Sequence, residues 1–325
     1  MTSAREALLE RLMAADALCA GTDLQDVPVI GSSDPAAAAT TNRNRQYFRR
    51  GVMVGCFAAF EDFVHERTRE LSHQLSLAAL PASAFPDSMV AATRAPAVGV
   101  LQSLMSRDSS ATQAALATQE LAAAWSSEAV GGAWTVPHAA FLWPGSNLSS
   151  GSLVSALATI GTASDWSDLT GVVQATGVSV LPTKPVFDDI AQERHKAAHD
   201  AKAAVDIIAL SPIPKQLVRL GFAVDALLSV GAARIVQRSA SSAKGRQAVT
   251  FTRLVRRPGT SETWAQYAGP ARAAVQRAVK VHVASLNDVV DGLGQHQKGS
   301  GDVVCVLEPD ISGKLDLVNW RCLGI

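Results

Sequence analysis

Cysteine is scarce in this chain and badly placed for chemistry. The 325 residues hold four, Cys19, Cys56, Cys305 and Cys322, far apart and without a C-x-x-C pair, which excludes a zinc ribbon or a dithiol redox motif and suits a reducing compartment. Charge of one sign is missing too. The 29 Lys+Arg balance the 29 Asp+Glu, so no global field draws the protein onto nucleic acid or an anionic membrane, and such a contact must come from a local patch. Long apolar runs are absent as well: "GVMVGCFAAF" at 51–60 is about half of the roughly 20 residues a spanning helix requires. Arg5, Glu6, Glu10 and Arg11 interrupt the N-terminus where a signal peptide needs an unbroken apolar core. These absences predict a soluble, cytoplasmic protein with no membrane partner.

What remains is globular. Hydrophobic residues at 48% and charged residues at 18% can bury enough apolar surface to offset chain entropy, and the length allows a main domain with an appendage. Ser3 and Glu6 have capping-box spacing ahead of Leu8, Leu9, Leu12 and Met13, which predicts a first helix. From about 42 to 77, Phe48, Val52, Cys56, Ala59, Phe60, Phe63 and Val64 form an apolar stripe on a long helix with one wet face. Pro81 and Pro86 end it. Ala-rich segments at about 88–106 and 110–129 predict two more helices, with Pro96 kinking or ending the first. The Gly-, Pro- and Ser-rich stretch 131–151 reads as an ordered loop in which Trp134 and Trp143 pack inward. Helices follow at about 151–161, 166–176, 185–205 and 213–238, the last burying Leu217, Leu220, Phe222, Val224, Leu227, Leu228 and Val230.

After a small-residue, basic linker at 237–247 the period changes. "AVTFTRLVR" alternates as a strand does. Pro270 can open a helix on which Val275, Val279, His282, Leu286, Val289 and Leu293 recur. "DVVCVLEPDISGKLDLVNWRCL" reads as a hairpin around a Pro-Asp-Ile-Ser-Gly-Lys turn. The expected organisation is a mainly α protein, a helical domain over 1–240 followed by a small α+β unit over 246–325.

Chemistry concentrates in "QERHKAAHD" at 192–200. His195 and His199 are four apart, but the residue after the first is Lys196, which cannot serve as the general base of a zinc-protease helix and whose charge opposes a nearby dication. His195, His199 and Asp200 have metal-compatible spacing without an evident third ligand, so no metal is expected. Arg194 and His199 form an R-x4-H pair. Five residues turn a helix by about 140°, so the arginine's length or a local irregularity must bring the guanidinium to the imidazole. Such a pair suits RNA cleavage through the 2′-hydroxyl, with the histidine moving protons and the arginine fork clamping the phosphate. Spacing alone is weak: Arg277–His282 repeats it, and Arg67–His73 is one residue wider.

The segment "ERHKAAHDAKAAVDIIALSPIPKQLVRLGFAVDALL" resembles the HEPN superfamily, whose motif is Arg, a polar residue, a few small residues and His; His195 takes the polar place. "GCFAAFEDFVHE" at 55–66 is similar to the long early helix of the RiboL-PSP-type branch. "GSNLSSGSLVSALATIG" at 145–161 looks like that branch's Asn-Ser entry to a helix. The likeness covers about 40–240 loosely and 145–230 more tightly, leaving the tail uncovered. It implies a HEPN-type helical bundle with inserted helices, a homodimer that sets two motifs face to face, and a metal-independent endoribonuclease that uses no cofactor and leaves a 2′,3′-cyclic phosphate. In that reading Arg194 binds phosphate, His199 is acid or base and His195 assists. The expected role is a toxin or antiviral effector with RNA as substrate and a cognate antitoxin or regulatory partner. Ala201 stands where adenylylated relatives carry tyrosine.

Glu61 lies in the apolar part of the long helix and wants a partner there; an ion pair with Arg194 is one reading, an exposed charge at the stripe's edge the other. "NRNRQYFRR" at 42–50 gathers Arg43, Arg45, Arg49 and Arg50 around Tyr47 and Phe48. With Lys196, Arg45, Arg49 and Arg50 are candidates to track RNA phosphates, against the alternative of an ordinary solvated face. His138 shows no partner in the sequence. A non-catalytic nucleotide- or protein-binding module and a plain helical scaffold remain the competing functions.

Overall fold

The computed structural model describes residues 3–106, 111–145, 147–178, 182–200, 202–238, 247, 249–257, 263–271, 278–296, 302–309 and 314–322. A capping box opens the chain: Ser3 Oγ accepts from the Glu6 N–H at 3.2 Å and the Glu6 carboxylate accepts from the Ser3 N–H at 3.0 Å. Helix α1 follows over Ala4–Ala20 and buries Leu8, Leu9 and Leu12. Helix α2 runs Pro35–Leu77, starting earlier than the stripe predicts. Its buried face is Arg49, Met53, Cys56, Phe57, Phe60, Phe63, Val64, Arg67, Leu71 and Leu75. Steps of three and four from Arg49 leave Phe48 about 100° away, and Phe48 is 67% exposed. Its expected place in the core is therefore corrected.

Short helices α3 (Asp87–Ala92) and α4 (Ala95–Met105) replace the single one expected, with Pro96 inside the first turn of α4, where its missing N–H costs nothing. Helix α5 is Ala111–Val130. Helices α6 (Ser150–Thr159) and α7 (Trp166–Ala175) open on Ser149 and Asp165, whose side chains accept from Ser152 N–H and from Ser167 and Asp168 N–H. Helix α8 is Thr183–His199, ending six residues before the expected boundary. Helix α9 is one turn, Ile207–Leu210, capped by Asp206. Helix α10, Ile213–Val236, buries every apolar residue predicted for it. The stretch Ile207–Val236 is long and apolar enough to cross a membrane, yet its most apolar window is 89% buried inside the protein, as in a core helix.

The C-terminal strands are β1 (Thr250–Arg256), β2 (Thr263–Ala268), β3 (Lys280–Val283), β4 (Asp302–Pro309) and β5 (Leu315–Cys322) in the order β3-β2-β1-β4-β5. β1 and β4 pair in parallel; the other neighbours are antiparallel. The predicted strand and hairpin are present, the turn residues 310–313 lying outside the described residues. The helix expected from Pro270 is corrected. Residues 280–283 are an edge strand with His282 opposite Trp264, and the helix, α11, covers only Leu286–His296. Val275 is outside the described residues. One cluster joins α11 to the sheet: Val289 and Val290 pack with Leu254, Trp264, Val304 and Val306.

The chain divides into two compact units, residues 1–64 with 184–221, and residues 65–183 with 222–325. In the first, Arg11 pairs with Asp62 at 2.6 Å and Lys215 with Asp16 at 3.8 Å. In the second, both loop tryptophans are buried as expected: Trp134 meets Phe85 edge to face at 4.8 Å and Trp143 packs at a tilt on His65 at 4.4 Å.

Candidate functional site: the exposed edge of helix α8

Helix α8 buries Phe187, Ile190 and Ala197, and Arg194 lies on the same stripe, three or four residues from its neighbours. Its guanidinium therefore turns toward α2. It lies over the Phe57 ring at 5.7 Å, a cation–π arrangement, and its Nη2 is 3.8 Å from Glu61 Oε2, with side-chain exposures of 17% and 13%. Of the two readings of Glu61, the ion pair is the one present. Phe187 packs at a tilt on Phe57 at 5.7 Å and edge to face on Phe60 at 6.2 Å, so an aromatic wall backs the pair. Arg194 Nε is buried without a hydrogen-bond partner among the described residues.

His195 and His199 occupy the adjoining exposed edge. Their rings are 4.7 Å apart, the one-turn spacing of i and i+4. No hydrogen bond or ring contact among the described residues joins Arg194 to His199. The 140° problem seen in the sequence is thus unsolved within one copy: the arginine faces α2 and the imidazoles face solvent. Lys196 is exposed beside them and pairs with Glu193 at 2.7 Å. Among the described residues no group of three or more His, Cys, Asp or Glu side chains is placed to hold a metal ion.

The arginines of "NRNRQYFRR" do different work. Arg49 is 1% exposed; its fork bonds the Leu24 carbonyl, Asp26 Oδ1 at 2.9 Å and the Val205 carbonyl at 3.3 Å. Its assignment to RNA is corrected, because a guanidinium so enclosed and so fully engaged cannot meet a phosphate. Arg50 donates through Nε to the Ala203 carbonyl at 2.8 Å and lies over Tyr47; Arg45 donates to the Gln25 carbonyl. Gln46 accepts from the Val205 N–H at 2.9 Å. The cluster clamps residues 203–205, just past His199, onto α2. Tyr47 and Phe48 are exposed beside it at 59% and 67%.

Sequence reasoning missed Phe57, although it lies next to Cys56 in the stripe, and missed that Arg49 heads that stripe. The wider control spacing resolves as packing: Arg67 is buried in an ion-pair network, while His73 is exposed. Arg277 lies outside the described residues. His138 does have partners: its ring Nε2 is 3.0 Å from Thr68 Oγ1 and its N–H donates to Glu120 at 2.9 Å. Burial, then the nearby Arg69 and His65 charges, pushes its pKa down to about 3, so it is a neutral packing residue.

The fold is mainly α with a mixed five-stranded sheet near the C-terminus. No family model, no curated protein and no solved structure matches the chain.

Proposed function

We propose that the protein is a metal-independent endoribonuclease of HEPN type, acting as a toxin or antiviral effector on cellular RNA. The observation that carries this reading is the Arg194–Glu61 pair. A guanidinium is oriented by a carboxylate and an aromatic ring, keeps one N–H without a partner, and adjoins two solvent-facing imidazoles. Arg194 would hold the non-bridging phosphate oxygens in its fork. His199 would take the proton from the 2′-hydroxyl, whose oxygen then attacks phosphorus. The 5′-oxygen leaves with a proton from a second imidazole, giving a 2′,3′-cyclic phosphate and a 5′-hydroxyl. Because Arg194 and His199 diverge within one copy, the reading requires a homodimer in which one protomer's imidazole meets the other's guanidinium.

Subunit mixing tests this directly. Arg194→Ala and His199→Ala homodimers should each lose at least about 100-fold in RNA cleavage measured in excess chelator, a usual loss for an acid–base or charge-stabilising group. Mixing the two inactive variants should restore part of the activity, since a mixed dimer carries one intact composite site. Full cleavage by both single variants would sink the proposal. A second reading, a non-catalytic binding module, draws on the same divergence of Arg194 from His199. It predicts RNA or nucleotide binding that Arg194→Ala weakens, with no cleavage by the wild type.

A further inference from the structure

Two imidazoles side by side on an exposed helix edge can do more than move protons. His195 and His199 lie one turn apart on α8, both exposed, and among the described residues neither ring has a hydrogen-bond partner. No other two of the seven histidines are four residues apart. We propose that this pair chelates one late first-row divalent cation, zinc or copper(II), and that the bound ion closes the α8 edge to proton transfer. Uptake stands on the geometry of the pair, whereas the closing rests on the ribonuclease reading above.

The spacing fits a chelate. Metal–nitrogen bonds of about 2.0–2.1 Å, with angles of about 90–110° at the ion, set two chelating imidazole centroids roughly 4.5–5.2 Å apart, and the 4.7 Å between these rings falls inside that range. Imidazole nitrogen is also the ligand that suits zinc and copper, whereas magnesium demands oxygen. The remaining positions around the ion would be filled by water, as in an open site.

The neighbouring charges permit it. Lys196, whose ammonium opposes a dication when read from the sequence alone, is held by the Glu193 carboxylate at 2.7 Å, and the Arg194 guanidinium turns to Glu61 and the Phe57 ring. Both cations flanking His195 therefore have a carboxylate partner. The other neighbouring histidines, His65 and His138, are built for packing instead. Their centroids are 6.4 Å apart, His138 is buried, and its Nε2 is 3.0 Å from Thr68 Oγ1. A nitrogen whose lone pair is given to a metal cannot accept the proton of a 2′-hydroxyl, so chemistry that needs no metal is here chemistry that a metal stops.

The test uses the full chain, titrated in a calorimeter with zinc, copper(II) and magnesium salts. Zinc and copper(II) should bind, copper(II) the more tightly, and magnesium should not. His195→Ala and His199→Ala each turn a chelate into a single ligand, so each should weaken zinc at least about tenfold, a difference near 1.4 kcal/mol. His73→Ala, which removes a lone exposed histidine from α2, should leave zinc uptake unchanged. All three side chains are exposed, so alanine leaves the fold intact. In the cleavage assay, zinc at a saturating level should lower wild-type turnover at least about tenfold, and chelator should restore it. Uptake is overturned by the absence of zinc and copper(II) binding, by magnesium binding as tightly as zinc, or by zinc binding that is unchanged in both α8 variants. Cleavage that continues with the pair saturated overturns the closing. A wild type that cleaves no RNA even in chelator sinks the ribonuclease reading and the closing with it, while the calorimetry still decides uptake.

Discussion

Two of the arginine–carboxylate pairs on helix α2, anchored six residues apart at Glu61 and Arg67 and one in each compact unit, are built to opposite standards. Arg67 is closed off. Its Nε donates to Asp225 Oδ1 at 2.5 Å, its Nη2 to Ser229 Oγ at 2.8 Å, and Trp320 Nε1 donates to the other Asp225 oxygen at 2.8 Å. Burial alone would raise the Asp225 carboxyl, but the Arg67 charge and these hydrogen bonds prevail and hold it below its ordinary value. Arg194, by contrast, stands 3.8 Å from Glu61 and leaves Nε without a partner among the described residues. A network with every member satisfied specifies a core. The pair at the edge of helix α8 is looser and lacks that closure.

Breaking the closed pair should have the largest effect. Asp225→Ala removes the buried partner of Arg67 and leaves its charge only the outer Glu70 carboxylate at 3.4 Å, so urea unfolding should show a loss of about 3 kcal/mol. The same unit should also respond to acid. With the His138 pKa lowered from 6.5 to about 3, the unfolded state binds a proton that the folded state refuses, so stability is whole above pH 6.5 and falls as pH drops toward 3. The loss should be on the order of a few kcal/mol, and His138→Gln should flatten that slope in a pH series of unfolding midpoints. Asp225 has the carboxylate sign: its contribution is full above its ordinary 3.8 and is lost only below that, so it cannot produce a decline starting near neutrality. In the other unit, Arg49→Ala should cost about 1.5–3 kcal/mol by orphaning Asp26 and two carbonyls. The smallest stability change belongs to the open pair. Glu61→Gln should cost about 1 kcal/mol or less, while the RNA cleavage we propose should fall at least about tenfold, with kcat reduced more than KM is raised. Equal stability losses for Asp225→Ala and Glu61→Gln would erase the contrast between the two pairs.

Much of the helical framework was legible because its signals are local. The Ser3–Glu6 box, the prolines at 81, 86 and 96 and the apolar period of α10 each act within a few residues. The errors fell where tertiary placement decides. The edge strand lies in Val279-Lys280-Val281-His282-Val283, which alternates, but Val279, His282, Leu286, Val289 and Leu293 also fall at helical spacing, so residues 279–293 pass for a single helical period. Arg49 at the head of a core stripe is invisible to any scheme that treats arginine as surface. Its four acceptor atoms lie at Leu24, Asp26 and Val205, distant in sequence. The site was half legible: burial cost pointed to a partner for Glu61, with Arg194 one of two readings, whereas the clamp by Gln46, Arg49 and Arg50 depends on where residues 203–205 return.

Because the Arg49 fork grips both Leu24–Asp26 and Val205 from one turn of α2, two stretches nearly 180 residues apart in sequence share a single fastening. Amide protons on both stretches should therefore exchange with solvent at matched rates, opening together as one cooperative foldon. Loosening the N-terminal stretch would be felt at once by the backbone that follows His199.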